Sequence, residues 1–413
     1  MKNSLGKPVT NFIILYDLTT NQYIKNIFYS SEIGLINSIS WKPNDGYTLA
    51  ANGDFGACLF KFVPNLSTQS KLGNNSMSTL TTCWIEKIYC SDNRGPKAPK
   101  NNDSKSLAFS QDGNLLILGY NYSQRGNNNS FMVVDPATNE KSLIKRAAIN
   151  LNIFSKSSLI GISSCKFSND GLFLVTSHTQ NNELRLWSTE NWNCKVFGFL
   201  PGLVTNFCWF PSCNACFFLV EGCRDILVLV VEKTATSFDA TISIVCSFES
   251  HITPMLHSSS YNQNNTQYLN DDSQNEEIRV GGPISKMAFD PNGNRLVIAF
   301  EPDCDSSCDS SILAVYKVQQ EFLFKAGGDL NANQSVLVPL GYIRGPGWPT
   351  ESFGYRSSKQ NNKTNRNSDS LNNKVKLGQP TPTHLLFAPR FEHGSLLLVA
   401  WSSGKISFIP MIY

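Results

Sequence analysis

A short pattern recurs six times along this chain: a strand that ends in a large aromatic residue, then a turn, then an apolar strand. The third copy, residues 165–176, reads CKFSNDGLFLVT and places Phe167 directly before a Ser-Asn-Asp-Gly turn. Repetition at this scale indicates one supersecondary unit that is used many times. We expect the aromatic residues to fill the space between neighbouring units as anchors. These residues are Trp41, Phe109, Phe167, Trp209, Phe289 and Phe387.

Each copy continues into two further strands. In the third copy, residues 183–187 alternate charged and apolar side chains, which places Glu183 and Arg185 on the face opposite Leu184 and Leu186. A fourth strand is predicted at residues 195–199. Four short antiparallel strands per repeat are typical of the blade of a β-propeller, so we predict an all-β fold of that class. The other third strands are predicted at residues 57–62, 130–135, 225–231, 312–317 and 405–410.

The two ends of the chain do not make up a whole number of blades. The chain opens with two strands, residues 12–17 and 23–29, that are typical of the outer half of a blade, and it closes on a third strand. We therefore expect one domain over residues 1–413 with seven blades, of which the first lacks upstream residues. The alternative is a six-bladed ring in which the first hairpin acts as the clasp.

Four polar inserts of low complexity interrupt the repeats. They cannot bury enough apolar area to offset the entropy lost on ordering, so we expect surface loops. The last insert is basic, which is also typical of a nuclear-import or nucleic-acid-binding tail, but its Asn and Ser content favours a solvated linker. The inserts lie near residues 65–78, 91–104, 258–277 and 356–376.

Charge and motifs exclude several classes of function. The net charge of +3 is too weak for a dedicated nucleic-acid surface, so no nucleic-acid partner is expected. The longest apolar run, residues 226–231, is far too short to cross a bilayer, so we expect no membrane span. The sequence has no phosphate-binding loop, dinucleotide fingerprint, zinc-protease motif or nucleophile elbow. We predict a protein that is not an enzyme and uses no cofactor or metal.

The cysteines are interpreted as reduced thiols inside apolar strands. Those at positions 208, 213, 216 and 223 include one C-x-x-C, for which a zinc site is the alternative to packed thiols. A second pair, Cys304 and Cys308, lies in an acidic segment that favours a solvated loop over a disulfide or an adventitious metal site. His178 ends a second strand, where we expect a structural role.

One aromatic segment is a candidate contact for a partner. Residues 341–349 read GYIRGPGWP, and a Tyr and a Trp among Gly and Pro indicate an ordered loop. Exposed aromatic and Arg side chains are frequent binding hot spots, so Tyr342, Arg344 and Trp348 are the candidate contact residues. The alternative is that Trp348 only fastens the loop to the blade surface.

The chain carries degenerate WD-repeat signs, with Leu186-Trp187-Ser188 where Trp-Asp would stand. It resembles more narrowly the aladin family, the WD-repeat nucleoporins. The closing stretch, residues 387–413, shares with that family an aromatic-x-Pro, an apolar strand leading into Trp-Ser-x-Gly, and a later Ile-Pro. Residues 279–291 resemble the preceding blade, and residues 192–194 and 39–43 match in the same order. The Asn-rich inserts depart from the family pattern.

The resemblance implies a WD40-like β-propeller that acts as a non-enzymatic scaffold of the nuclear pore complex. It implies anchoring through a transmembrane nucleoporin of the pore membrane, contact with other nucleoporins, and support of nucleocytoplasmic protein transport at the nuclear envelope. The alternative is a WD-repeat adaptor for protein interactions elsewhere in the cell.

Overall fold

The computed structural model describes most of the repeats and leaves out the segments between them. The described residues are 12–17, 22–28, 33–53, 56–64, 80–90, 106–119, 130–138, 140–145, 162–178, 182–234, 237–248, 251–253, 278–301, 309–320, 336–346 and 380–412. The four predicted inserts lie outside these residues, as do Trp348, Cys304 and Cys308.

The chain divides into two compact units. The first comprises Met1–Glu221 with Val228–Ile242, and the second comprises Gly222–Leu227 with Ser243–Tyr413. The single domain expected from the sequence stays a prediction.

Antiparallel sheets of consecutive strands account for the regular structure of the described residues. The first sheets in chain order pair β1 (Ile13–Asp17) with β2 (Gln22–Phe28), and β3 (Ile36–Trp41), β4 (Thr48–Gly53), β5 (Gly56–Pro64) and β6 (Leu80–Cys90) in sequence order. The next comprise β7 (Ser106–Phe109), β8 (Leu116–Gly119), β9 (Ser130–Val134) and β10 (Lys141–Lys145), and then β11 (Ile162–Phe167), β12 (Phe173–His178), β13 (Leu184–Ser188) and β14 (Cys194–Phe197).

The later sheets repeat this order. One contains β15 (Val204–Trp209), β16 (Ala215–Val220), β17 (Asp225–Lys233) and β18 (Phe238–Ser247), and a short pair joins β19 (His251–Thr253) to β20 (Ile278–Val280). The last two contain β21 (Ile284–Phe289), β22 (Arg295–Phe300), β23 (Ile312–Val318) and β24 (Leu337–Arg344), and then β25 (Pro382–Phe387), β26 (Gly394–Trp401) and β27 (Ile406–Ile412).

Within the described ranges there are therefore six blades, five of four strands and one of three, where the sequence predicted seven. The two strands predicted for an incomplete first blade are β1 and β2, and they form a sheet of their own. The predicted third strands correspond to β5, β9, β17, β23 and β27.

Local chemistry explains why each hairpin turns where it does. In the third copy, the backbone N–H of Phe173 donates to Ser168 Oγ (2.9 Å), and the N–H of Leu172 donates to Asp170 Oδ1 (3.0 Å). Gly171 closes the turn at φ 72°, a left-handed conformation that costs glycine little. A Ser, an Asp and a Gly at fixed spacing thus set the register of the two strands.

Most of the aromatic anchors lie where the sheets pack on one another. In the first unit, Phe167 joins a core cluster with Ile117 and Phe131 of the preceding sheet. In the second unit, Phe387 packs in the same way with Val297 and Leu313. The buried anchors are Phe109, Phe167, Trp209, Phe289 and Phe387.

Trp41 differs from the other anchors, because its side chain is 44% exposed. The neighbouring sheet β1–β2 places Ile13 in a cluster with Phe60 and Phe62. The Trp41 ring lies 5.7 Å from the Phe62 ring, at the margin of this cluster. Trp41 therefore meets this cluster only at its margin and is not one of its buried members.

The final sheet of the second unit has one buried and one exposed face. Phe387, Leu397, Val399 and Trp401 are buried on the face that packs against β22 and β23. The opposite face carries four exposed apolar side chains, which are Leu386, Ile406, Phe408 and Ile412.

Candidate protein-interaction surface

Two of the three predicted contact residues lie on β24, the outer strand of its sheet. Tyr342 and Arg344 are both exposed there, and Trp348 lies outside the described residues. Tyr342 pairs with Ala314, and Pro339 pairs with Tyr316, with a bulge between these two pairs. The bulge leaves Leu340 as an extra residue, so the side chains of Pro339 and Tyr342 share one face with Tyr316.

This face forms one wall of a cavity of about 280 Å³ in the second unit, called here the Tyr342 cavity. Its aromatic lining comes from Phe248, Tyr316 and Tyr342. The remaining described lining residues are Cys246, Ser247, Leu337 and Pro339. None of these side chains carries a charge at neutral pH unless a thiol or phenol ionises.

Phe248 holds the inner end of the cavity in place. It is buried, and its backbone N–H donates to the Arg224 carbonyl oxygen (2.9 Å). Its ring meets the Tyr316 ring edge to face at 5.2 Å between centroids, and lies 6.3 Å from the Phe300 ring. Edge-to-face pairs are a favourable geometry for aromatic rings, so this wall is pre-formed.

The ionisable groups of the Tyr342 cavity stay neutral at physiological pH. Burial raises the pKa of the Cys246 thiol to about 12, and the negative charge of Asp225 adds to the effect. Burial also raises the pKa of Tyr316, with a contribution from Tyr342, and raises that of Tyr342 itself. The cavity therefore offers O–H donors and apolar faces, and its thiol is too weakly ionised to act as a nucleophile.

The other predicted site residues are not among the described residues that line this cavity. Cys208 and Cys216 are buried in their strands, and burial raises the pKa of the Cys216 thiol. In the part of the chain that the structure describes, no group of three or more His, Cys, Asp or Glu residues is placed to hold a metal ion. His178 is buried at the end of β12.

A buried ion pair was not anticipated from the sequence. Arg185 is 0% exposed and donates to Glu183 Oε2 at 3.3 Å, and Glu183 is buried too. The alternation at residues 183–187 predicted two different faces, and both faces of β13 are buried in the structure. The signal available in the sequence was that Arg185 sits between two Leu residues.

An exposed aromatic was also missed. Phe199, between β14 and β15, is 94% exposed and has φ 61°. This left-handed conformation is unfavourable for a bulky L-residue, so Phe199 is held in it by its surroundings. The following N–H, that of Leu200, donates to the Asn182 carbonyl oxygen at 3.2 Å. The neighbouring Gly198, Pro201 and Gly202 are the residues that signal a turn here.

Comparisons with known proteins agree with the architecture. Residues 152–188 match the WD40 family model, described as "WD domain, G-beta repeat". The matched segment contains a buried hydrogen bond from Trp187 Nε1 to Thr176 Oγ1 (3.0 Å) between the second and third strands. The chain is also similar to the crystal structure of the β-propeller domain of Myceliophteria thermophila Cps50 (Swd1), with a TM-score of 0.51 and 10% identity. The similarity covers 96% of this chain and 89% of that one.

The fold is an all-β WD40 β-propeller. At 10% identity the structural similarity establishes this fold and nothing about partners. The described residues of the propeller include no helix with the length and apolar character that a bilayer crossing requires.

Proposed function

We propose that this propeller is a non-enzymatic scaffold subunit of the nuclear pore complex. Propellers of the WD40 type typically serve as platforms for protein interaction, and the Tyr342 cavity offers neutral donors and aromatic faces. The observation that carries the assignment to the pore is the ordered resemblance of residues 387–413 to the last blade of the aladin family.

The most specific shared motif has a clear structural role in this chain. Trp401 is buried, and its Nε1–H donates to Ser407 Oγ at 2.9 Å across the β26–β27 turn. The N–H of Gly404 donates to the Trp401 carbonyl oxygen (2.8 Å), and Gly404 has φ 77°. Trp-Ser-x-Gly is thus a turn that fixes the register of the last two strands.

The proposal includes the neighbours that the resemblance implies. The propeller is anchored at the nuclear envelope through a transmembrane nucleoporin, contacts other nucleoporins, and supports nucleocytoplasmic protein transport. The second candidate is a WD-repeat adaptor elsewhere in the cell. The match of residues 152–188 to the general WD40 model favours neither location.

A fluorescent fusion of the full gene product, expressed in its own cells, tests the location. We expect a punctate nuclear rim, and diffuse cytosolic fluorescence would contradict the assignment. Proximity labelling from the same fusion should mark nucleoporins, including one that spans the membrane. A Trp401→Ala fusion is the control, because losing a buried Trp disrupts the last blade and should disperse the rim signal.

A further inference from the structure

We propose that the Tyr342 cavity binds a proline-rich segment of a partner protein in the polyproline II conformation. This inference rests on the proposed role as an interaction scaffold, but it does not depend on the nuclear pore as the place of action.

The size of the cavity selects a small rigid group. Its volume of about 280 Å³ lies just below the range of about 300–1,000 Å³ that drug-sized ligands occupy. It can therefore admit one or two ring-sized side chains of a longer segment. The rings of Phe248, Tyr316 and Tyr342 form its aromatic lining, and aromatic grooves are the surfaces on which proline rings pack.

The hydroxyl groups of Tyr316 and Tyr342 can donate hydrogen bonds to the carbonyl oxygens of a proline-rich segment. Tyr316 is 7% exposed, and among the described residues neither its hydroxyl nor that of Tyr342 has a hydrogen-bond partner. Both remain protonated, since burial raises the pKa of each phenol. A polyproline II segment has no internal hydrogen bonds, so its carbonyl oxygens are free to accept from such donors.

The features around the cavity disfavour other kinds of partner. None of the described lining residues is a cation that would select a phosphate or a carboxylate. Addition of a partner strand to β24 is disfavoured as well, because the bulge at Leu340 interrupts regular pairing and Pro339 has no N–H. An extended partner must therefore be recognised through side-chain packing and single hydrogen bonds.

The test is a titration of the whole 413-residue chain against fluorescein-labelled decaproline, followed by fluorescence anisotropy. A Gly-Ser decamer of the same length is the control peptide, since it is flexible and presents no rings. We expect saturable binding of decaproline and none of the Gly-Ser peptide. If both peptides bind equally, or if decaproline does not bind, the proposal is wrong.

Substitutions in the cavity test whether decaproline binds there. Tyr342→Ala removes a ring and a donor, and we expect affinity to fall by about tenfold or more. Tyr316→Phe and Tyr342→Phe keep the rings and remove one donor each, and should cost up to about tenfold. Phe408→Ala is the matched control, because Phe408 and Tyr342 are both 43% exposed but Phe408 lies on β27.

Retained affinity in Tyr342→Ala, or an equal loss in Phe408→Ala, would overturn the assignment to this cavity. Circular dichroism melts of all variants exclude unfolding as the cause. The outcome is separable from the proposed location: a nuclear rim with no decaproline binding removes only the cavity proposal, whereas binding without a rim removes only the pore.

Discussion

Two tryptophans at equivalent positions of the repeat should differ in their contribution to stability. Trp209 and Trp41 both end a first strand and both lie in the first unit, but Trp209 is 4% exposed and Trp41 is 44% exposed. Trp209 Nε1 also donates to the Lys166 carbonyl oxygen at 3.2 Å. Replacing each by Ala therefore tests whether coverage by the preceding sheet, and not the repeat position alone, makes an anchor.

The expected difference between the two stability losses follows from the apolar area that each Trp side chain buries. A Trp side chain buries at most about 250 Å², and apolar burial contributes about 25 cal/mol per Å². Trp209→Ala loses nearly all of this area and leaves a cavity, so we expect a loss of about 4–5 kcal/mol. Trp41→Ala loses little more than half of this area, and water can fill the space, so we expect about half the loss, about 2–3 kcal/mol.

The measurement is urea unfolding of both variants and the parent, followed by far-ultraviolet circular dichroism. Both residues belong to the same compact unit, so their midpoints report on one body of structure. Trp209→Phe, which keeps a ring but loses the N–H donor, should fall between the parent and Trp209→Ala. Equal losses for Trp41→Ala and Trp209→Ala would refute the reasoning.

Three further predictions concern single side chains. Phe199→Gly should raise the free energy of unfolding in urea by about 0.5–1 kcal/mol, because the left-handed conformation costs an L-residue about 1–2 kcal/mol and the entropy of glycine offsets part of this gain. Phe199→Ala keeps an L-residue in that conformation and should leave the stability unchanged. A Gly variant that is less stable than the parent would contradict the assigned strain. Trp187→Phe should cost about 1–2 kcal/mol through the lost hydrogen bond to Thr176, and a double-mutant cycle with Thr176→Val should reveal coupling between the two residues. The pKa of Cys246 is raised to about 12, so at pH 8 this thiol should react with iodoacetamide more than tenfold more slowly than an ordinary thiol. Labelling followed by mass spectrometry should show a rate that keeps rising above pH 10. A plateau near pH 9 would show that the thiol has an ordinary pKa.

The repeat was readable because its determinants are local. Ser168, Asp170 and Gly171 form their turn with neighbours a few residues away, and the hydrogen bonds that set the hairpin are within reach of that segment. A pattern of this kind carries its structure in its own sequence. The strands around it were therefore predicted close to their observed bounds.

The burial of a side chain depends on residues that are distant in sequence, so the sequence predicted burial less well than it predicted the turns. Whether an anchor such as Trp41 or Trp209 is covered depends on packing from outside its own repeat, which that repeat does not encode. Arg185 was predicted on the face opposite Leu184 and Leu186, and in the structure both faces of β13 are buried. Alternation reports two faces of a strand and does not say that either one meets water.

The candidate contact combines a residue that its local sequence identified with partners that are distant in sequence. Tyr342 was identified from its Gly- and Pro-rich surroundings, whereas its cavity partners Phe248 and Tyr316 are distant in sequence and were not. Tyr342 shares the face of Tyr316 because it pairs with Ala314, two residues away on β23, and the bulge at Leu340 brings Pro339 onto the same face. The same bulge disrupts the outer edge of β24, which lowers the tendency of that edge to pair with other strands. Deletion of Leu340 would remove the extra residue but leave Pro339 opposite Tyr316 and Tyr342 opposite Ala314, so we expect decaproline binding to be kept while the strand edge becomes more regular. Loss of binding in this variant would show that Leu340 itself shapes the cavity.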